Sequence, residues 1–219
     1  VQNLRELKTE LLKEIGVRVK DLGFTLNVGR QGFYRKTSFG KQSFHLSFIP
    51  HSSDMDVTAD VAIRFDALED LVHEHIPGLF FNPTLARNTF SFGSNLGHII
   101  GEGQVRWTIA DIGDVQTVAT KMVETFLTVG MPYLERYSDL HLAFRVISTV
   151  NPEANLLTGF PDKQATNAIG LAFLLGKEDE FHEIVNEMTN YLVPIPNSNI
   201  EVFLEFANKL EQRFGNKTA

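Results

Sequence analysis

His45 and Asp60 are the ionisable pair whose types and spacing come nearest to acid–base chemistry: an imidazole to move a proton and a carboxylate to orient it. They lie in two stretches, 42–49 and 55–65, where apolar and polar residues alternate with a period of two. A hairpin between these stretches sets His45 opposite Thr58 or Asp60. Arg64 and Arg106 add cations to the same polar side and would hold an anion nearby. The chemistry stops there, because spacing places no Ser or Thr as a nucleophile and the chain has no Cys. A histidine facing an aspartate across strands is also an ordinary pair, worth roughly 0.2–1 kcal/mol. His45, Thr58, Asp60, Arg64 and Arg106 therefore make a candidate binding face with no catalytic residue assigned.

Other patterns fail at identifiable positions. Glycines at 93, 97, 101 and 103 invite a phosphate-cradling loop, yet the string lacks the Gly-Lys-Ser/Thr ending of a P-loop and the G-x-G-x-x-G spacing, so tight turns are expected instead. His182-Glu183 begins like a zinc-protease helix, but the second ligand position is Asn186. His73 and His75 project about 200° apart on a helix and cannot chelate one ion together. His51, Asp54 and Asp56 cluster where turn chemistry alone explains them. No metal and no cofactor is expected. Arg30, Phe33, Tyr34, Arg35, Lys36, Phe39 and Lys41 combine rings with cations, as a single-stranded nucleic-acid platform requires; the competing reading is core phenylalanines on an edge strand with solubilising charges.

Helices and strands must position these residues. Leu4, Leu7, Leu11, Ile15, Val19 and Leu22 recur at helical spacing up to Gly23, and short strands follow at 24–28 and 33–36. In the strand pair, Phe44, Leu46 and Phe48 share a face, as do Met55, Val57, Ala59, Val61, Ile63 and Phe65. A short helix over 66–76 closes at Pro77 and Gly78. Residues 79–103 carry Phe80 and Phe81 and read as strand or loop, with Thr89–Phe92 a possible strand. Val105, Trp107 and Ile109 alternate as a further strand. Asp111 is placed to cap a helix striped with Ile112, Val115, Val118, Ala119, Met122, Val123, Phe126 and Leu127. Beyond residue 131 only helical signals remain: a turn at 131–136, a helix capped by Ser138, one carrying Ala165 to Phe173 and stopped by Gly176, one carrying Phe181 to Met188, and one carrying Ile200, Phe203, Leu204, Ala207 and Leu210 that ends at Gly215. Strands with one apolar face joined by hairpins predict an α+β fold: an antiparallel sheet of five or six strands over 1–130, covered on one face by helices near 2–22 and 112–129, and an all-helical lobe over 131–219.

The 219 residues are 43% hydrophobic and 21% charged, which excludes a disordered chain. No apolar run approaches the ~20 residues of a membrane helix, so no membrane partner is expected. Net charge is −7, which disfavours wholesale nucleic-acid binding, but it is uneven: residues 1–53 hold nine Lys/Arg against four Asp/Glu, and residues 54–219 eleven against twenty-three. The chain opens on Val1 without a charged-then-apolar leader, and a soluble cytoplasmic protein is the expectation.

The opening helix, Leu22-Gly-Phe24, Gly32-Phe-Tyr-Arg35 and Val61-Ala-Ile-Arg-Phe65 together resemble a loose group of uncharacterised bacterial domains, some of which look like immunity or toxin-neighbourhood proteins. The likeness covers about the first 130 residues, and it defines no catalytic residue. Three readings follow in order. The first is a non-enzymatic module that engages a protein partner through the polar sheet face or the acidic lobe. The second is a small hydrolase or ligand-binding enzyme centred on His45 and Asp60. The third is single-stranded nucleic-acid binding through residues 30–41. Oligomeric state has no signature in the sequence.

Overall fold

The structure is a computed structural model that describes residues 4–76 and 88–217. Pro77, Gly78, Phe80 and Phe81 lie outside the described residues. In chain order the elements are α1 (Leu4–Val19), β1 (Thr25–Asn27), β2 (Gly32–Thr37), β3 (Gly40–Pro50), β4 (Met55–Phe65), α2 (Asp66–His75), β5 (Phe92–Asn95), α3 (Leu96–Ile99), β6 (Trp107–Ile109), α4 (Asp114–Thr125), α5 (Met131–Tyr137), α6 (Leu140–Ile147), α7 (Ala154–Leu157), α8 (Pro161–Leu174), α9 (Glu178–Leu192) and α10 (Ile200–Lys217). The fold is α+β, with a six-stranded antiparallel sheet and a helical C-terminal region. Sheet order is β1-β2-β3-β4-β5, and β6 also pairs with β4.

The chain divides into two compact units, one of residues Val1–Ile63 with Gly93–Arg136 and the other of Arg64–Phe92 with Tyr137–Ala219. Residues 64–92 thus fall in the same unit as the C-terminal helices. Packing explains this: a Cβ added to Gly170 of α8 would come within 2.7 Å of Leu68 Cδ1 of α2, so the glycine lets the two helices meet.

In the first unit the two-residue alternation directs Phe44, Leu46, Met55, Val57, Ala59, Val61 and Ile63 into the core. The His51 N–H donates to the Asp54 carbonyl at 2.9 Å and closes the β3–β4 hairpin. Helix α1 buries Leu7, Leu11, Leu12, Ile15 and Val19, and its Gly16 lies against the side chains of Leu26 and Phe33. Phe48 is only half-buried, with the Lys8 ammonium 4.9 Å above its ring. Past α4 the helix widens into a π turn at Phe126–Gly130, where the Met131 N–H reaches back five residues to the Phe126 carbonyl. Phe126 there stacks on Phe44 at 4.2 Å and meets Phe24 edge-on at 5.3 Å.

Several expectations shift for local reasons. Leu127 is 44% exposed because the π turn advances the helical phase, and Ile112 is 51% exposed because it precedes the helix. Asp111 does not cap α4: its carboxylate accepts from the Gly113 N–H, while Asp114 accepts from the N–H groups of Ala110 and Asp111. The strand expected at Thr89–Phe92 begins at Phe92. Gly97 is required by packing, since an added Cβ would sit 2.1 Å from the Gly103 carbonyl oxygen.

In the second unit α6 is capped by Asp139 rather than Ser138, its carboxylate accepting from the N–H groups of His141 and Leu142. Helix α8 buries every residue from Gln164 to Phe173. It stops as expected at Gly176, whose φ of +66° is left-handed, with the Lys177 N–H returning to the Ala172 carbonyl. Phe173 and Phe181 both pack edge-on against Phe214. Helix α10 runs through Gly215 to Lys217, burying Phe206 and leaving Leu204 exposed.

Candidate anion site

The five residues expected on the polar face do not converge. Asp60 Oδ2 is 3.9 Å from His45 Nδ1, which bears out the even–odd pairing of β3 and β4 but exceeds hydrogen-bonding reach, and Asp60 Oδ1 instead accepts from Asn95 Nδ2 at 3.1 Å. Thr58 is buried, so the face is not open there. Arg64 belongs to the second unit and is buried, held by Asp66 at 2.6 Å and by Thr89, Asp70 and Glu69. Arg106 is exposed and bonds Asp56 and Gln104. Asp56 also accepts from Thr108 Oγ1 at 2.7 Å and bonds His51, and these bonds, Thr108 first, hold its carboxyl below the usual aspartate range. Alternation assigns residues to a face, and neighbours decide whether that face is open.

A concave site lies elsewhere in the first unit, at the β1 end of the sheet. Helix α1 gives way to a 3₁₀ turn ending on Gly23, whose φ of +85° reverses the chain into β1. After β1, Asn27 Oδ1 accepts from the Arg30 N–H and Gln31 adopts φ 53°, a turn that presents Arg30. The Leu46 N–H donates to the Gln31 carbonyl at 2.9 Å and ties the turn to β3.

Strand register then arranges the side chains. Thr25 pairs with Tyr34, Asn27 with Gly32, Gly32 with His45, Tyr34 with Ser43 and Lys36 with Lys41. Direct partners share a face, as do residues two apart, so Thr25, Asn27, Tyr34, Lys36 and Lys41 lie on the side that carries His45. The opposite side holds the Phe33–Phe44 pair, with ring centroids 5.6 Å apart. The cavity formed here measures about 790 Å³ and is lined by Gly23, Thr25, Leu26, Asn27, Arg30, Tyr34, Arg35, Lys36 and Lys41. Residues of both faces line it, as an edge strand of three residues permits.

Four of the nine lining residues are cations and none is acidic. Arg35 is fixed: Nε donates to Gln42 Oε1 at 2.8 Å, an Nη donates to the Leu22 carbonyl, and the guanidinium lies 4.9 Å from the Phe24 ring centre. Lys41 Nζ stands 6.0 Å from the centre of the Tyr34 ring. The Tyr34 hydroxyl lies over Gly32, where an added Cβ would be 3.1 Å away. Burial pushes the Tyr34 phenol up while the Arg30 charge pulls it back, so at neutral pH it is an O–H donor. Among the described residues, no carboxylate lies within ion-pair distance of Arg30 or Lys36. The first unit holds twelve Lys/Arg against twelve Asp/Glu, so this positive cluster is local.

Compared with family models, curated proteins and solved structures, the chain matches none. Among the described residues, no group of three or more His, Asp or Glu is placed to hold a metal ion. No helix there is long and apolar enough to cross a membrane.

The basic and aromatic residues of 30–41 were visible in the sequence, whereas their concavity was not. It arises because Gly23–Asn27 folds beside them. The legible part of that signal was Gly23 as a helix stop followed by a strand too short to cover its neighbour.

Proposed function

We propose that this chain is a non-enzymatic binding protein of the cytoplasm that takes an anionic group of its partner into the cavity at the β1–β2 edge. One observation carries the reading: Arg30, Arg35, Lys36 and Lys41 line a single cavity without a carboxylate among its walls. Lys36 and Lys41 are register partners on β2 and β3, which brings two cations to one face beside the cavity. An immunity-like role, as implied by the resemblance of the first 130 residues, is compatible with a module that acts by binding. The enzyme reading has less support, with His45 Nδ1 and Asp60 Oδ2 3.9 Å apart and Asp60 accepting from Asn95.

Heparin-affinity chromatography at low salt tests the proposal with a generic polyanion. Despite its net charge of −7, the native chain should be retained and should elute earlier as the double variant Arg30→Glu/Lys36→Glu. Native chain in the flow-through refutes the proposal, and so does retention that the variant leaves unchanged.

A further inference from the structure

We infer that the second unit docks a cationic, amphipathic segment of a partner protein on the end of the α8–α9 pair where Val150, Phe160 and Val193 are exposed. This surface is independent of the cavity at the β1–β2 edge. Single exposed hydrophobics are ordinary on a protein surface, whereas several tied together at one end mark an interaction site. Among the described residues of the second unit the large hydrophobics left exposed are Val150, Phe160, Val193 and Leu204, with Phe160 at 71% and Val193 at 66%. The first three belong together. Helices α8 and α9 have 14 and 15 residues and are joined by a tight turn at Gly176, so the start of α8 lies beside the end of α9. Asp162, in the first turn of α8, accepts from the Asn199 N–H at 2.9 Å and from Asn199 Nδ2 at 2.8 Å, and Ser198 Oγ donates to the Leu192 carbonyl at 3.1 Å. These bonds bring the turn that carries Val193 to the side of Phe160. Gln164 Nε2 donates to the Thr149 carbonyl at 3.1 Å and the Val150 N–H donates to Glu187 at 2.9 Å, which fastens Val150 to the same two helices.

Phe160 is an anchor set in advance. Its backbone is extended just before Pro161, its N–H donates to Thr158 Oγ1 at 3.2 Å and its carbonyl accepts from the Gln164 N–H at 2.9 Å, so little order remains to be imposed when the ring is covered. Aromatic side chains are also enriched where protein partners meet. Charge then selects the occupant. Residues 146–162 and 184–204, which supply this end, hold Glu153, Asp162, Glu187 and Glu201 and no Lys or Arg. Of the cations beside these stretches, Lys163 sends its ammonium to the Phe90 carbonyl, and Arg145 lies further back on α6. Asp162 and Glu187 are held by amide donors, and among the described residues neither forms an ion pair, so their charge is left for a partner to meet. A segment whose apolar side chains are flanked by Lys or Arg satisfies both features. An anionic membrane surface, or a second copy meeting this end face to face, would set negative charge against negative.

Fluorescence anisotropy of a dye-labelled amphipathic helical peptide of leucine and lysine, titrated with the full chain, tests this. Two control peptides keep half of the recognition each: leucine with glutamate in place of lysine, and lysine with serine in place of leucine. Saturable binding of the leucine–lysine peptide is expected, about tenfold or more tighter than either control. The double variant Phe160→Ser/Val193→Ser should weaken it by about tenfold or more, because both side chains are exposed and their loss removes contact area without disturbing the core. Leu204→Ser and Val17→Ser, which trim exposed hydrophobics elsewhere at unchanged net charge, should leave the affinity within about twofold. Absence of binding by the native chain overturns the inference, and so does binding that the Phe160/Val193 variant leaves unchanged. Equal affinity for the lysine–serine peptide reduces the effect to net charge and overturns it as well, as does equal affinity for the leucine–glutamate peptide. Phe160-dependent sedimentation with phosphatidylcholine vesicles in a chain that ignores the peptide overturns it in favour of a lipid surface. A concentration-dependent rise in mass that the variant abolishes, again without peptide binding, overturns it in favour of a second copy.

Discussion

Replacing Lys36 by Glu should stabilise the fold while abolishing the cavity's affinity for anions. Lys36 and Lys41 are direct cross-strand partners, so the substitution converts a repulsive pair into an attractive one. Two unit charges about 6 Å apart interact by roughly 0.7 kcal/mol in a water-like dielectric. Reversal of sign doubles that figure and solvent exposure with side-chain entropy reduces it, leaving a gain of about 0.5–1 kcal/mol. Urea denaturation of the native chain, Lys36→Glu, Lys41→Glu and the double variant forms a cycle that isolates the pair. Each single variant should be more stable than the native chain, and the double variant should lose the gain because two glutamates then oppose each other. In about 1 M salt, where the screening length falls to roughly 3 Å, the coupling should vanish. Additive effects in the cycle, or destabilised single variants, refute the claim that these lysines are held against the interest of the fold.

Three further outcomes follow from packing and ionisation. Phe44→Ala should cost about 3–5 kcal/mol in urea denaturation, because a fully buried ring stacked on Phe126 and Phe33 is removed; a loss below about 1 kcal/mol contradicts the assigned core. The Asp56 carboxyl is held low by its hydrogen bonds to Thr108, His51 and Arg106, so its contribution is present above the ordinary value of 3.8 and is lost as pH falls through the lower folded value. Melting curves of native chain and Asp56→Asn should therefore converge as the pH drops below that range, and a difference independent of pH contradicts the assignment. Lys163 donates to the Phe90 carbonyl, and desolvation lowers its pKa from 10.5 against the pull of Glu69. The unfolded chain thus holds a proton that the folded one lacks between the folded value and 10.5, and native stability relative to Lys163→Met should rise with pH across that interval; a flat difference refutes it.

The parts of the fold that were legible in the sequence are those set by backbone period. Pleating imposes alternation on β3 and β4, and Phe44, Leu46 and the odd residues of β4 face the core as their spacing required. Helix stops at Gly23 and Gly176 were legible because only a left-handed residue fits there. What covers the second sheet face was not legible. Thr58 and Arg64 alternate as polar residues should and are nonetheless buried, Arg64 with Asp66, Glu69, Asp70 and Thr89 about its guanidinium. Leu127 was misplaced because a single π turn resets the helical phase, and no residue type announces it. The cavity escaped because its wall at Gly23–Asn27 and its charges at 30–41 are each local, and their meeting is tertiary.

Backbone amide resonances of the labelled chain, followed during a pyrophosphate titration at constant ionic strength, bear most directly on where the anion sits. Saturating shifts confined to residues 23–41 are the expected result. Shifts centred on the His45–Asp60 region or on the helices after residue 137, with residues 23–41 unmoved, would contradict the account.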